Sequence, residues 1–551
     1  MKRNNNWWKE GVVYQIYPRS FNDTTGNGLG DIDGIVEKLD YIKSLGVNMI
    51  WICPVYASPN DDNGYDIADY RKISEDFGGN DAFNRLLQEM HERDLKLIMD
   101  LVVNHSSDEH RWFEQAKQSK DNPYHDYYIW KEGTATTPPN NWQSVFNGSV
   151  WEWNADTAEY YLHYYTKKQP DLNWENPAVR KEVYDIIDFW LAKGVDGFRM
   201  DVISLISKRL AFKDVPQSMS FIDVMEKVYA NGPRVHEYLK EMNREVLSQY
   251  DVVTVGEGPG VNLEHGPRYV SAKEKELNMV FHFDHLTIDF GPEGKYDPIP
   301  VDFLRFKEIF RQWDEALAED GWNSIFLGNH DFSRIVSRFG NDEEYHKASA
   351  KLLVSLLMTL RGTPYVYQGD EIGMTNVAHP SIDLYDDIET RNAWKAAEAE
   401  GKDMDEFLKA VHWQSRDNAR TPMQWDASKQ AGFTEGEPWI PVNINYPQIN
   451  VFAAENDPDS ILHYYRKMIA YRKANLSLVY GHYKDLLPQH PHLFVYQRWD
   501  DKGTFLAVHN FSDHKTNWEQ KEPGYVMEIG NYSAPSSQFL SPWESRIYRL
   551  V

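Results

Sequence analysis

Short apolar runs alternate with longer stretches whose apolar residues recur at helical spacing, and this alternation leaves few architectures open. Residues 12–17 read as a strand. Residues 31–46 follow, with Ile32, Ile35, Val36, Leu39, Ile42 and Leu45 on one helical stripe and Gly46 as a stop signal. A second strand is expected over 47–54. Phe83, Leu86, Leu87 and Met90 mark the next helix, and 95–103 the third strand. Strand, helix and strand in repetition imply a parallel sheet with crossover helices.

The rhythm stops at Asn104. Residues 104–174 are polar, aromatic and rich in Asn, Pro and Gly, too long for an ordinary connection, and are expected to form an inserted subdomain. The rhythm resumes with a helix over 178–193 and a strand over 195–200. Further strands are expected at 252–256, 279–283, 324–327 and 365–367, which completes the eight of a (β/α)₈ TIM barrel. The barrel thus spans 1–103 and 175–478. Residues 479–551 change character: 493–499 and 504–509 are β-rich and flank the turn signal Asp500-Asp501-Lys502-Gly503, so a C-terminal antiparallel β domain is expected there.

Composition narrows the partners. Acidic residues outnumber basic ones 84 to 58, a net charge of −26. Such a chain repels a polyphosphate backbone or an anionic membrane surface, so neither nucleic acid nor membrane is expected as a partner. Aromatic residues make up 14%. Rings with an apolar face and a wet edge suit carbohydrate. Cys53 is the sole cysteine, so no intrachain disulfide forms. The first residues, Met1 to Trp8, contain no apolar leader core, and no stretch reaches membrane-span length. A cytoplasmic protein, monomeric or weakly oligomeric, is expected.

In a barrel of this kind the site lies at the C-terminal ends of the strands. Polar residues gather there: Asp100 with Asn104 and His105, Arg199 with Asp201, Glu257, and Asn329-His330-Asp331. A carboxylate pair in opposite protonation states is what glycoside cleavage needs, one to protonate the leaving oxygen and one to meet the anomeric carbon. Arg199, two residues before Asp201 and on the same strand face, is placed to keep Asp201 ionised.

These segments resemble the α-amylase superfamily. Asp100-Leu101-Val102-Val103-Asn104-His105, Gly197-Phe198-Arg199-Met200-Asp201, Val255-Gly256-Glu257 and Gly328-Asn329-His330-Asp331 match its four ordered signatures. Tyr14-Gln15-Ile16-Tyr17-Pro18, Asp62-Asn63-Gly64-Tyr65-Asp66, Gln169-Pro170-Asp171-Leu172-Asn173-Trp174 and the run from Arg416 to Trp425 look like its oligo-1,6-glucosidase branch. The resemblance implies a retaining, exo-acting α-glucosidase with Asp201 as nucleophile, Glu257 as acid/base and Asp331 as third carboxylate. It implies Tyr65 as a stacking platform and His105 and His330 as hydroxyl ligands. Phe146 and Tyr165 match pocket walls, and Gln169, Lys295 and Glu371 match further sugar contacts. Asp66 and Arg416 match a pair that closes the pocket behind the terminal glucose. Val202, beside the nucleophile, goes in this family with α-1,6 preference.

Two features depart from the pattern. The loop Asp23-Thr24-Thr25-Gly26-Asn27-Gly28-Leu29-Gly30-Asp31 is similar to a calcium loop, with Asp23, Asn27 and Asp31 as ligands, but relatives carry Asn and Asp where Thr25 and Asn27 stand. Calcium affinity tracks ligand charge, so a structural calcium is an option and no cofactor is required. Gly258, after the acid/base, stands where relatives often carry a larger side chain and is expected to widen the leaving-group side. Trehalose-6-phosphate hydrolase remains the alternative, since Lys295 stands in both groups, as does a broader α-glucosidase. Sucrose isomerase fits less well because its arginine-rich stretch is replaced by Leu286-Thr287-Ile288-Asp289-Phe290. A non-catalytic binding homologue would have lost the acids, and all three are present.

Overall fold

The computed structural model describes residues 6–520 and 523–551. Residues 1–5, on which the absence of a leader core was read, lie outside the described residues. Eight parallel strands build the core: β1 Val13–Ile16, β2 Met49–Ile52, β3 Lys96–Val102, β4 Gly197–Asp201, β5 Val253–Gly258, β6 Met279–His282, β7 Ser324–Ile325 and β8 Thr363–Tyr367. Their hydrogen-bonded order is β6-β5-β4-β3-β2-β1-β8-β7. The remaining seam between β6 and β7 is bridged by a side chain, Ser324 Oγ donating to the Val280 carbonyl at 2.8 Å.

Strands buried on both faces need apolar residues at nearly every position. Alternate residues feed two clusters. Val13, Met49, Trp51, Ile98, Val253, Val255 and Phe281 fill the barrel. Tyr14, Ile16, Ile50, Ile52, Leu97 and Met99 face the surrounding helices. The helix expected over 178–193 is Pro177–Lys193, with Asn176 Oδ1 accepting the Ala178 N–H at 2.9 Å and Gly194 closing it at φ 108°. The helix expected over 31–46 breaks at Lys38 into Ile32–Glu37 and Leu39–Ser44. The apolar stripe survives the break, since Ile32, Ile35, Leu39 and Ile42 all remain buried.

Between β3 and β4 stands a three-stranded antiparallel sheet, with Glu159–Leu162 central between Trp130–Glu132 and Trp151–Asn154. Its exit folds back on its entry through bridges His105–Asp171 and Tyr128–Leu172. A single buried ammonium ties the two ends together. Lys208 Nζ lies 2.7 Å from Asp171 Oδ2 and 2.5 Å from Asn104 Oδ1, and it also donates to the Leu205 carbonyl at 2.7 Å. The segment after β4 is thereby fastened to both ends of the insertion.

The C-terminal strands His482–Asp485, Leu493–Trp499, Thr504–Asn510, Ser545–Leu550 and Tyr525–Gly530 form one antiparallel sheet in that order. Asp500 Oδ1 accepts the N–H groups of Lys502 and Gly503 at 2.8 and 3.1 Å and shapes the hairpin turn. Buried Arg472 and Arg498 donate to the carbonyls of Met358, Thr359 and Leu360 at 2.6–2.9 Å, capping the helix His346–Thr359 and joining the sheet to the barrel. No described helix is long and apolar enough to cross a membrane.

Lys208→Met should leave Asp171 buried without its cation. Removing one partner of a buried pair costs about 3–5 kcal/mol. The expected outcome is a clearly lower thermal midpoint by calorimetry, and an unchanged midpoint would show that the ammonium does not hold the insertion in place.

Candidate active site

Strand register brings the central charges together. Arg199 on β4 stands level with Asp100 on β3, and Asp201 follows two residues later on the same face. Arg199 Nη1 donates to Asp100 Oδ1 at 2.8 Å and Asp201 Oδ1 at 2.7 Å, while Nη2 pairs with Glu257 Oε1. The rings of Trp51 and Tyr65 lie 5.2 and 5.7 Å from the guanidinium carbon. One cation thus faces three buried carboxylates. Burial pushes the Asp201 carboxyl well above the usual range, further than Arg199 pulls it down, and Glu257 is raised for the same reason. Arg199, expected to keep Asp201 ionised, is outweighed by burial, and the crowded carboxylates retain a proton among them.

A second cationic pair stands across the pocket. Arg420 Nη2 donates to Asp331 Oδ1 at 2.7 Å, and Arg416 Nη1 approaches the same oxygen at 3.3 Å. Burial alone would raise Asp331, but the imidazole N–H of His330 together with the cations of Arg416 and Arg420 overturns it and holds this carboxyl far below the ordinary range. His330 itself is neutral, burial lowering it to about 3. Gln15 Nε2 lies 2.8 Å from its Nδ1, so the neutral ring carries its proton on Nε2, toward Tyr65 Oη at 2.6 Å and Asp331 Oδ2 at 3.2 Å. Tyr65 stacks on this imidazole, centroids 5.4 Å apart.

The walls follow from the insertion. Tyr165 packs 5.3 Å from His105 and 5.4 Å from Phe146, ring to ring, and Phe146 covers Arg416 at 4.8 Å. Burial lowers His105 to about 3, and its Nε2 lies 3.1 Å from the Tyr65 carbonyl. Gln169 is wholly buried behind this surface, Nε2 lying 3.2 Å from both Asp62 Oδ2 and His105 Nε2. The cavity is about 680 Å³ and is lined by Asp201, Glu257, Asp331, Tyr65, His105 and Arg416 among others.

The family model for the alpha amylase catalytic domain matches residues 15–481. The chain belongs to the α-amylase family. It is 52% identical to the oligo-1,6-glucosidase of Parageobacillus thermoglucosidasius, with 99% of each chain covered. It is 45% identical to the trehalose-6-phosphate hydrolase of Bacillus subtilis strain 168, over 99% of this chain and 98% of that one. Its fold superposes on the isomaltulose synthase of Klebsiella sp. LX3 with a TM-score of 0.96 at 44% identity, covering 99% of both chains.

Two expected site residues, Asp66 and Glu371, sit elsewhere. Asp66 does not pair with Arg416. Its carboxylate accepts Ser58 Oγ at 3.0 Å and the N–H groups of Asp61 and Asp62 at 2.8 and 3.2 Å, so the loop wraps around it. Asp62, at the crest of that loop, reaches Arg416 Nη2 at 3.3 Å instead. Burial raises Asp62 to about 7 despite the arginine. Glu371 lies outside the cavity, its carboxylate taken by Tyr14 Oη at 2.6 Å, Tyr41 Oη at 2.8 Å and the Gly369 N–H at 2.7 Å. Glu389, by contrast, lines the cavity and lies 2.6 Å from Lys295 Nζ. Gly258 widens nothing: a Cβ there would meet Val261 Cγ2 at 2.7 Å and Val280 Cγ2 at 2.9 Å, so glycine permits close packing behind the site. Asp387, which the sequence reading also missed, lies 2.6 Å from Arg416 Nη2 and caps the helix Ile388–Ala399 that carries Glu389.

The loop similar to a calcium site is closed by its own donors. Asp23 Oδ1 accepts the N–H groups of Thr25 and Gly26 at 2.8 and 2.9 Å, and Oδ2 accepts the Gly28 N–H at 2.7 Å and Thr434 Oγ1 at 2.5 Å. Asn27 Oδ1 accepts the Leu29 N–H at 2.8 Å. Asp31 caps the following helix through Gly34 N–H at 2.7 Å and also accepts the Thr24 N–H at 2.8 Å. N–H groups point where a cation would need lone pairs, so the donor set fits an ion poorly.

Asp62→Ala should lower kcat/KM by about 10- to 100-fold, the worth of one lost charge-assisted hydrogen bond. Asp66→Ala should act on the loop and lower the thermal midpoint. A larger kcat/KM loss at Asp66 than at Asp62, with both variants fully folded, would restore the expected pairing.

Proposed function

We propose that this protein is a retaining α-glucosidase that releases terminal glucose from short α-1,6-linked glucosides. The observation that carries it is the Asp201–Glu257 pair on one guanidinium, opening into a pocket stopped by Asp62 and Arg416. A pair spanned by a single guanidinium suits the about 5–5.5 Å of a retaining enzyme better than the about 6.5–9.5 Å of an inverting one. The closed end admits one terminal sugar and no through-running chain.

In the first step Asp201 attacks the anomeric carbon, the glycosidic C–O bond breaks, and Glu257 gives its proton to the leaving oxygen. In the second, Glu257 takes a proton from water, the water oxygen attacks the same carbon, and the Asp201 ester bond breaks. Two inversions give net retention. The proton needed at the start is the one the crowded carboxylates retain. Positive charge developing at the anomeric carbon favours Asp201 ionised, so the proton resides on Glu257. Asp331, held ionised, accepts hydrogen bonds from sugar hydroxyls. Val202 and the relatives named oligo-1,6-glucosidase support the α-1,6 linkage. Lys295 is engaged by Glu389, which counts against a phosphorylated leaving group.

The same reading has the enzyme working in the cytoplasm as a monomer or weak oligomer on dissolved oligosaccharide. The net charge of −26 supports the exclusion of nucleic acid and anionic membrane. We further infer that no metal is required, on the strength of the N–H donors that occupy the Asp23 and Asp31 carboxylates. A chelator should then leave the thermal midpoint unchanged, and a drop restored by calcium would overturn this.

Initial rates on isomaltose, panose, maltose, sucrose and trehalose 6-phosphate test the substrate, with isomaltose and panose expected to lead. Early NMR should show α-glucose as first product, and Asp201→Asn should cost several orders of magnitude in kcat. Release of β-glucose, or a tenth of wild-type kcat in the variant, would sink the mechanism.

A further inference from the structure

The chain contains four Asn-Gly pairs: Asn27–Gly28, Asn63–Gly64, Asn147–Gly148 and Asn231–Gly232. This dipeptide is chemically labile, because glycine has no Cβ to keep its amide nitrogen away from the side-chain carbonyl carbon before it. The fold protects three of the pairs. Gly28 donates its N–H to Asp23 Oδ2 at 2.7 Å, and Asn27 Oδ1 accepts the Leu29 N–H at 2.8 Å. Asn231 is buried, its Nδ2 donating to the Gly260 carbonyl at 2.7 Å and its Oδ1 accepting from Tyr269 Oη at 2.9 Å. Gly64 is buried, and a Cβ there would meet the Pro54 carbonyl oxygen at 3.2 Å.

Asn147–Gly148 has none of this protection. The pair sits at the tip of a hairpin whose flanks, Gln143 and Ser149, bridge antiparallel. The incoming flank is pinned to the subdomain: Ser144 Oγ donates to the Tyr165 carbonyl at 2.7 Å, and the Val145 N–H to the Tyr164 carbonyl at 2.9 Å. The Asn147 N–H and the Gly148 carbonyl only close the turn onto Ser144, at 3.1 and 2.8 Å. Both residues are exposed, with φ at 70° and 86°. Among the described residues, neither the Asn147 side-chain amide nor the Gly148 N–H has a hydrogen-bond partner. A Cβ built on Gly148 would meet nothing within 4 Å. Free reactive groups and room to move therefore coincide at this pair.

Its place gives the chemistry a consequence. Asn147 lines the cavity, and Phe146 directly before it covers Arg416, the residue that stops the pocket. Any change of backbone length at 147 is therefore passed to a wall of the site.

We propose that Asn147–Gly148 is a self-modifying site at the cavity rim, which converts to aspartate and isoaspartate with time and takes activity with it. The Gly148 nitrogen, its proton taken by hydroxide, bonds to Asn147 Cγ. The Cγ–Nδ2 bond breaks, ammonia leaves, and a five-membered succinimide remains. Water then opens one or the other C–N bond of that ring. One product is aspartate at position 147 and the other isoaspartate, which adds a methylene to the backbone directly after Phe146. Both add a negative charge, and water is the only co-reactant. The loss of activity rests on the hydrolytic reading above; the modification itself does not.

Incubation of the full chain at mildly alkaline pH, followed by peptide mapping, tests it. The peptide holding Asn147 should gain about 1 Da and split into two chromatographic forms before any change at Asn27, Asn63 or Asn231. The rate should rise with hydroxide concentration. Misplacing a binding wall by about 1 Å can cost about 100-fold, so isomaltose kcat/KM should fall by about half when half the chains are modified. Asn147→Gln, whose longer side chain would have to close a six-membered ring, should stop both changes, each protein being measured against its own starting activity. Modification appearing first at one of the other three pairs would overturn the site. Modification at Asn147 with undiminished kcat/KM, or equal decay in Asn147→Gln, would overturn its effect on activity. A fresh sample that fails to cleave isomaltose would overturn the hydrolytic reading, while the mass change still decides the site.

Discussion

Arg199 sets the terms for the rest of the site. Its guanidinium joins the ends of three neighbouring strands by holding Asp100 from β3, Asp201 from β4 and Glu257 from β5. Burying one cation with three carboxylates leaves a surplus of negative charge that a low-dielectric interior tolerates badly. A proton is the cheapest remedy, which is why burial drives the Asp201 and Glu257 carboxyls upward together. The rings of Trp51 and Tyr65 flank the cation and keep water from rescreening it. An acid that must hold its proton near neutrality and a carboxylate that must lose it thus arise from one shortage of positive charge.

The opposite wall follows the reverse logic. Arg416 and Arg420 stand among Asp62, Asp331, Asp387 and Glu389, and here two cations suffice to hold Asp331 and Asp387 ionised. A sugar between the two walls meets a proton reservoir on one side and fixed anions on the other. Hydroxyls are bound by the fixed Asp331 carboxylate, while the proton used in the reaction moves on the reservoir side. This separation depends on the barrel, because Asp331 reaches the mouth from the β7 connection and Glu257 from β5.

Legibility in the sequence follows the same division. The strands were readable because burial on both faces demands apolar runs, and Asp201, Glu257 and Asp331 because they follow those runs directly. His105, Tyr65 and Phe146 were placed at the cavity by the resemblance, and all three line it. Asp62 and Asp66 lie in one short motif, and only the folded loop shows that Asp66 turns inward to its own backbone while Asp62 faces Arg416. Glu371 and Glu389 are a similar case. Glu371 follows β8 directly, where a strand-end acid looks catalytic, yet two tyrosine hydroxyls claim it. Glu389 lies on a capped helix far from any strand end, and no local pattern announces that this helix leans over the cavity. Gly258 misled because a missing side chain shows nothing of where the side chain would have pointed.

Val202 links the reacting pair to an apolar cluster beside it. It follows Asp201 with φ at 36°, a left-handed conformation that a β-branched residue adopts only under constraint. Strain of this kind costs on the order of 1–3 kcal/mol and persists only where surrounding structure fixes it. Two contacts do so here. The Val202 N–H donates to Glu257 Oε2 at 3.2 Å, and its side chain packs into the cluster that contains Met225 and Tyr229. The backbone turn therefore holds the acid/base through its N–H and meets this cluster through its side chain. A change of shape at Val202 would disturb the Glu257 contact and the packing of that cluster together. That shared dependence gives a physical reason why one residue beside the nucleophile can bear on which linkage is cut.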